Sequence, residues 1–170
     1  NTASTGFRAR RSALAFLSMK SFRVPERLIE LDRTVACHRN ANRWALLYRT
    51  LWRMMREEPN LLKISTDDDV HQLNQMERAI NRDVHKMKAF VRFRKVLSST
   101  SDEHFIAWHR PDHRIVRLAA PFFARRFKEM TWTILTPDES VAWDQTELHY
   151  GDGVARAGAP DSETLEDRWK

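Results

Sequence analysis

The sequence contains little cysteine, and no stretch of it is apolar for long. Its single cysteine, Cys37, excludes an intrachain disulfide framework and any zinc or iron–sulfur site that needs four cysteines from this chain. No apolar run approaches the roughly 20 residues that a membrane-spanning helix requires. We therefore expect a cytoplasmic protein, with no membrane association and no metal or cofactor held by these residues.

Glycine is scarce as well, and its distribution excludes several classes of site. The four glycines are Gly6, Gly151, Gly153 and Gly158, so none lies between Phe7 and Tyr150. Phosphate-binding P-loops and dinucleotide-binding loops need glycines where the backbone approaches phosphate closely. A Gly-x-Ser-x-Gly nucleophile turn is excluded on the same grounds.

Positive charge is concentrated in one part of the chain, residues 78–95, which we call the basic segment. The chain has 29 Lys and Arg against 23 Asp and Glu, a net charge of +6. The basic segment alone has seven basic residues and one acid, Asp83, so its surplus equals that of the whole chain. Such clustering favours an anionic partner such as DNA, although an ordinary solvated basic surface is the alternative.

Hydrophobic spacing predicts an α+β fold for residues 24–153. Three helices come first: one that opens at Val24-Pro25, one from Arg43 to about Arg56, and one headed by Asp67-Asp68-Asp69. A strand over 90–94, a strand over about 103–109, a helical segment over 115–128 and strands at 132–135 and 141–143 follow. This order predicts an N-terminal layer of three helices and a small antiparallel sheet, β-β-α-β-β.

Three details of that prediction can be tested against a structure. The row Trp44, Leu47, Tyr48, Leu51 and Met55 in the second helix predicts a buried face. Pro121 predicts two short helices, or one helix kinked at Ala119-Ala120, because an interior proline costs about 3 kcal/mol. Residues 1–23 are interpreted as a tether or remnant, and 154–170 as an acidic linker toward a further C-terminal domain.

Arginine and lysine beside aromatic residues form the strongest candidate site. Alternation along the strand predicts Phe90, Arg92 and Arg94 on one face, opposite Val91 and Phe93. The candidate nucleic-acid-binding residues are Lys86, Lys88, Arg92, Arg94, Arg125 and Arg126. Trp108, Trp132 and Trp143 are either stacking surfaces or core residues, and the sequence leaves both open.

No catalytic motif is present, so whether the chain is an enzyme stays open. The weak candidates are His85, His109 and His113. His85 lies two residues from Asp83, but residues two apart on a helix point to different faces. His109 and His113 have the four-residue spacing of a zinc helix, yet Pro111 between them argues against continuous helix and hence against a metal site.

Several long ungapped motifs resemble a bacterial domain family of undefined function. They are Ala36-Cys-His-Arg39, Trp44-Ala-Leu-Leu-Tyr-Arg49, the stretch from Asp83 to Arg94, Ala119-Ala-Pro-Phe-Phe-Ala-Arg-Arg-Phe127 and Trp132-Thr-Ile-Leu-Thr-Pro137. The resemblance covers about 24–153. It implies a DNA-repair setting, since family members occur beside radical-SAM proteins of a DNA-repair type and fused to uracil-DNA-glycosylase-like domains with an iron–sulfur cluster.

Charge and resemblance together predict a DNA-binding accessory domain of a bacterial base-excision-repair protein. The glycosylase motifs and cluster cysteines are not in these residues, so uracil excision is not assigned to them. Two alternatives remain: a protein-interaction module that binds a radical-SAM partner, and a nucleic-acid-processing enzyme of unknown reaction.

Overall fold

The computed structural model describes residues 24–97 and 103–156. The predicted tether over 1–23, the turn predicted over 98–102 and most of the predicted linker lie outside these residues. In the described part, no helix is both long enough and apolar enough to cross a membrane.

The α+β prediction is confirmed, and the helical layer precedes the sheet. The helices are α1 (Glu26–Val35), α2 (Arg43–Arg56), α3 (Asp68–Phe90) and α4 (Val116–Arg126), with a short 3-10 turn at Leu61–Lys63. Asp67 is the N-cap of α3, and its side chain accepts hydrogen bonds from the backbone N–H groups of Asp69 and Val70. This is the role expected of an acid at a helix start.

The strand predicted over 90–94 is misplaced. Helix α3 continues through Phe90, because the N–H of Val91 still donates to the carbonyl of Met87 at 3.0 Å. The first strand, β1, runs over Arg94–Leu97. The predicted alternation is nevertheless present: Val91 is buried and Phe93 half-buried, while Arg92 and Arg94 are exposed.

The sheet has five strands and is mixed, where four antiparallel strands were expected. After β1 come β2 (Glu103–Trp108), β3 (Trp132–Leu135), β4 (Glu139–Trp143) and β5 (Leu148–Asp152), and they lie side by side in chain order. Strands β2 and β3 are parallel, with Ala107 opposite Ile134, whereas the other pairs are antiparallel. The parallel pair arises because α4 separates β2 from β3 and returns the chain to the same end of the sheet.

The main core lies between one face of the sheet and helices α3 and α4. Trp132 and Phe123 are its largest buried side chains, and their rings are 6.2 Å apart. Pro121 lies inside one helix, so the predicted division into two short helices is wrong, while the alternative of one helix kinked at Ala119-Ala120 stays a prediction. Proline there removes only one helical hydrogen bond, and the buried Ala119 and Ala120 beside it keep α4 packed on the core.

The prediction that one face of α2 is buried holds only in part. The buried residues of α2 include Leu46, Leu47 and Met54, which face α1 and α3. Trp44 and Tyr48 are 52% and 67% exposed, because no described element covers that side of the helix. The three- and four-residue spacing of apolar side chains therefore predicted the helix correctly, but the row predicted to be buried included residues on the exposed face.

The chain after β5 is fixed against the turn between β3 and β4. A Cβ atom on Gly153 would lie 2.2 Å from the carbonyl oxygen of Pro137, so only glycine fits there without displacing backbone. Next to it, the N–H of Val154 donates to the carbonyl of Thr136 at 2.8 Å.

Candidate nucleic-acid interface

Five of the six predicted phosphate-binding residues lie at or just beyond the C-terminal ends of α3 and α4, where an aromatic cluster connects the two helices. We call this surface the terminal basic patch; its residues are Lys88, Arg92, Arg94, Arg125 and Arg126. Phe93 connects the two helix ends, because its ring is 5.3 Å from that of Phe127. Every member of the patch is exposed.

Cation–π contacts tie two of the patch residues to this cluster. The Lys88 ammonium is 5.1 Å from the Phe122 ring, and the Arg126 guanidinium is 6.0 Å from the Phe127 ring. Arg92 and Arg94 flank Phe93 in the sequence, and Arg125 precedes Arg126 at the end of α4. The aromatic rings therefore hold one cation from α3 and one from α4 at one end of the helical layer.

The positive charge of the patch is not neutralised within the described part of the chain. Among those residues, no carboxylate lies within ion-pairing distance of any of the five. The guanidinium of Arg92 donates instead to the backbone carbonyls of Ala89 and Val91, at 2.7 and 3.1 Å. These bonds satisfy carbonyl groups at the end of α3 and keep the full charge of Arg92 in solvent.

Lys86, the sixth predicted residue, lies apart from the patch. Its ammonium is 3.3 Å from the carboxylate of Asp112, in the loop before α4. Both side chains are more than half exposed, and such a pair contributes little to stability. Lys86 can therefore exchange this partner for a phosphate at small cost.

An exposed aromatic ring adjoins the terminal basic patch. Phe90, the last residue of α3, is 67% exposed. An exposed phenyl ring can stack on a base, and the neighbouring cations can bind phosphates. Protein surfaces that bind single-stranded nucleic acid combine these two properties.

The three candidate histidines differ in exposure and in their neighbours. His85 is exposed, and Asp83, two residues earlier, is buried on another side of α3. His109 is half-buried, and burial lowers the pKa of its imidazole despite the nearby carboxylates of Asp83 and Asp112. The lowered pKa favours the neutral form of this half-buried imidazole.

His113 has a structural contact that the sequence did not suggest. Its ring stacks on that of His38, with centroids 4.3 Å apart. Burial is the largest influence on His38 and lowers its pKa, and the neighbouring His113 lowers it further. As Pro111 indicated, α4 begins only at Val116, so His109 and His113 do not lie on one helix.

The three candidate tryptophans have different environments. Trp132 is fully buried, so it is a core residue rather than a stacking surface. Trp143 is half-buried and donates its indole N–H to the carbonyl of Lys128 at 3.1 Å. Trp108 lies on the sheet face opposite the helices, where the guanidinium of Arg156 is 5.5 Å from its ring.

One group of metal-ligand type converges among the described residues, and the sequence analysis did not identify it. Asp144 and Glu147, in the exposed turn between β4 and β5, and His149, at the start of β5, bring one ligand atom each to within 4.8 Å of one another. One oxygen of Asp144 already accepts hydrogen bonds from Thr146 and Glu147, and the other contacts His149 at 2.6 Å. The turn itself thus accounts for this cluster.

Comparison with known proteins identifies a family. Neither the curated proteins nor the solved structures include a significant match to this chain. One family model matches residues 41–170, which is more than half of the chain. The expected membership of a domain family of undefined function is thereby confirmed, and the chain belongs to the family described as "Domain of unknown function", DUF4130.

Proposed function

We propose that this chain is a DNA-binding accessory domain of a bacterial base-excision-repair protein, and that it grips the phosphate backbone through the terminal basic patch. The observation that carries the proposal is a set of five exposed cations at the C-terminal ends of α3 and α4, unpaired with any carboxylate of the described residues, of which Lys88 and Arg126 contact an aromatic cluster. Ion pairs between these cations and carboxylates of the chain would argue against the proposal, because a guanidinium that is already neutralised binds phosphate weakly.

The exposed ring of Phe90 predicts which form of DNA binds more tightly. An exposed ring can stack on a base only where that base is unstacked from its neighbours. We therefore expect tighter binding to single-stranded DNA, or to duplex with an unpaired base, than to intact duplex.

The repair setting is supported by the family resemblance. In this setting the domain presents damaged or unstacked DNA to an enzyme, either a uracil-DNA-glycosylase-like domain with an iron–sulfur cluster or a radical-SAM protein. Excision of a uracil-containing oligonucleotide by such an enzyme, measured with and without this chain, tests the setting. A rate that this chain leaves unchanged contradicts an accessory role.

The DNA-binding surface is tested with a double variant, Arg94→Gln with Arg125→Gln. Both side chains are exposed, and neither has a hydrogen bond or ion pair with another described residue, so we expect the variant to fold. Fluorescence anisotropy with labelled single-stranded and duplex oligonucleotides, over a range of salt, gives affinity and its salt dependence. Losing two phosphate contacts should weaken duplex binding and reduce the log–log salt slope by about two units.

A charge-matched control separates a specific surface from net charge. Arg33→Gln with Lys63→Gln removes the same charge at exposed positions in α1 and the 3-10 turn. The 3-10 turn adjoins the start of α3, about 33 Å along that helix from the patch. Equal affinities for the two double variants would remove the proposal.

A module that binds a partner protein is the second candidate, and one observation favours it. Trp44, Tyr48 and Trp52 form an exposed aromatic row along α2, a helix that contributes no residue to the terminal basic patch. If neither oligonucleotide binds, while a radical-SAM partner co-purifies after nuclease treatment, this candidate replaces the first.

A further inference from the structure

A polar pocket lies where the loop between α1 and α2 crosses α3. Its volume is about 690 Å³, within the range of about 300–1,000 Å³ typical of small-molecule sites. The lining residues are His38, Asn40, Asn42, Gln72, Gln75, Met76, Arg78, Ala79 and Arg82. We call it the polar pocket.

The charge of the polar pocket is entirely positive. Arg78 and Arg82 lie one turn apart on α3, and no acidic residue is among those that line the pocket. Within the described residues, neither guanidinium has a carboxylate partner, whereas Arg27, Arg39, Arg49, Arg53 and Arg117 all do. Two adjacent guanidiniums without internal partners suit an anion, and phosphate above all.

The loop that forms the far wall is held in place before any ligand arrives. The guanidinium of Arg43 donates to the backbone carbonyls of Ala36 and Asn40, both at 3.0 Å. The Asn40 side chain accepts from the N–H of Asn42 at 2.9 Å. Such a wall needs little ordering when a ligand binds, and this lowers the entropic cost of binding.

His38 lines the polar pocket, and its own hydrogen bond assigns the tautomer of its ring. Its Nδ1 accepts a hydrogen bond from the N–H of Asn40 at 3.1 Å, and its ring is fixed by stacking on His113. In a neutral imidazole whose Nδ1 accepts, the proton lies on Nε2. Burial lowers the pKa of His38, which favours that neutral form.

Amide groups complete the lining. Asn42 and Gln72 have no side-chain hydrogen bond to another described residue, and each offers both a donor and an acceptor. Bases display mixed donor and acceptor edges that such amides recognise, for example the bidentate pairing of Asn or Gln with adenine. A free phosphate would use only a small part of the pocket.

We propose that the polar pocket binds a single nucleotide, with its phosphate on Arg78 and Arg82 and its base against the amides of Asn42 and Gln72. Lys86 continues the line of Arg78 and Arg82 at the same four-residue spacing, so a strand held by α3 can pass the pocket. Identifying the nucleotide as part of a DNA strand rests on the proposed function; binding of a mononucleotide does not.

Isothermal titration calorimetry with the full chain tests this inference. The probes are the four deoxynucleoside 5′-monophosphates, the matching deoxynucleosides, 2-deoxyribose 5-phosphate and inorganic phosphate. We expect at least one monophosphate to bind more tightly than its nucleoside, and more tightly than either base-free phosphate. The double variant Arg78→Gln with Arg82→Gln should weaken that binding roughly tenfold or more, since two charge-assisted contacts are lost. Arg33→Gln with Lys63→Gln should leave it unchanged.

Three results would overturn the inference. No monophosphate binds at millimolar concentration; or base-free phosphates bind as tightly as nucleotides, which indicates a simple anion site; or the Arg78 and Arg82 variant binds as well as the parent. The two proposals fail separately. Oligonucleotide binding without mononucleotide binding removes only the pocket, and mononucleotide binding without oligonucleotide binding removes only the DNA-binding function.

Discussion

The carboxylate of Asp83 accepts a hydrogen bond from the backbone N–H of His113, at 2.8 Å, across 30 residues of sequence. Asp83 is 3% exposed and is the only acid of the basic segment. It fixes the loop before α4 to the middle of α3. This contact explains why one acid lies among seven basic residues: it serves the fold. Of those seven cations, Lys86 and Lys95 pair with Asp112 and Glu103, and the other five have no carboxylate partner among the described residues.

Replacement of Asp83 by alanine is expected to destabilise the fold by about 1–3 kcal/mol, because the buried N–H of His113 loses its acceptor. Asp83→Asn keeps an acceptor oxygen at the same position and should lose much less. Urea denaturation followed by circular dichroism measures both. Equal losses for the two variants would show that charge, rather than the hydrogen bond, is what matters at this position.

Arg53 is expected to control the acid stability of the helical layer. Its guanidinium contacts Glu58 at 3.0 Å, Asp67 at 2.7 Å and Asp69 at 3.0 Å. The hydrogen bond from Arg53 lowers the pKa of Asp67, and that from Arg49 lowers the pKa of Asp69. Depressed carboxyl pKa values give stability that is present above their ordinary value of 3.8 and is lost as pH falls through the folded values.

Arg53→Met should therefore lower the free energy of unfolding most at neutral pH and flatten its decline in acid. Denaturation midpoints measured from neutral pH downward check this. Asp67→Asn is the companion variant, since it keeps an oxygen to cap α3 but removes the charge that Arg53 contacts. A parallel acid decline in parent and Arg53 variant would contradict the prediction.

The stability contributed by the contact between His149 and Asp144 should depend on pH in the opposite direction. The hydrogen bond with Asp144 raises the pKa of His149, while the hydrogen bond from Thr146 is the largest of those that lower the pKa of Asp144. A raised histidine pKa gives stability that is fully present below the ordinary value of 6.5 and is lost as pH rises through the folded value. His149→Gln should therefore cost stability in mild acid and little in alkali.

A proton NMR titration of the His149 ring reports this pKa directly. Asp144→Asn should return it toward 6.5. If the titration of His149 in the parent is the same as in the Asp144 variant, the contact does not form in solution.

Local features of this fold could be predicted from sequence, because short-range chemistry determines them. Asp67 was expected to head a helix, and it caps α3 through the N–H groups of Asp69 and Val70. The inward Val91 and Phe93 and the outward Arg92 and Arg94 also follow from alternation, although β1 itself starts later.

Long-range features could not be predicted in this way. The acceptor for the N–H of His113 lies 30 residues away, and no pattern around either residue indicates it. The parallel pairing of β2 with β3 depends on how α4 crosses the sheet, and hydrophobic periodicity carries no information about strand direction. The polar pocket combines a loop with a helix face, and its two arginines, Arg78 and Arg82, belong to the basic segment.

The parallel pair has a consequence for how the chain folds. Strands β1 and β2 form one local antiparallel unit, and β3, β4 and β5 form another. The two units join when Ala107 aligns with Ile134. The connection that contains α4 must close first, and this costs chain entropy before any hydrogen bond between β2 and β3 can offset it. Docking of these two halves should therefore set the folding rate, and substitutions at Ala107 or Ile134 should slow refolding more than equally destabilising ones within either hairpin.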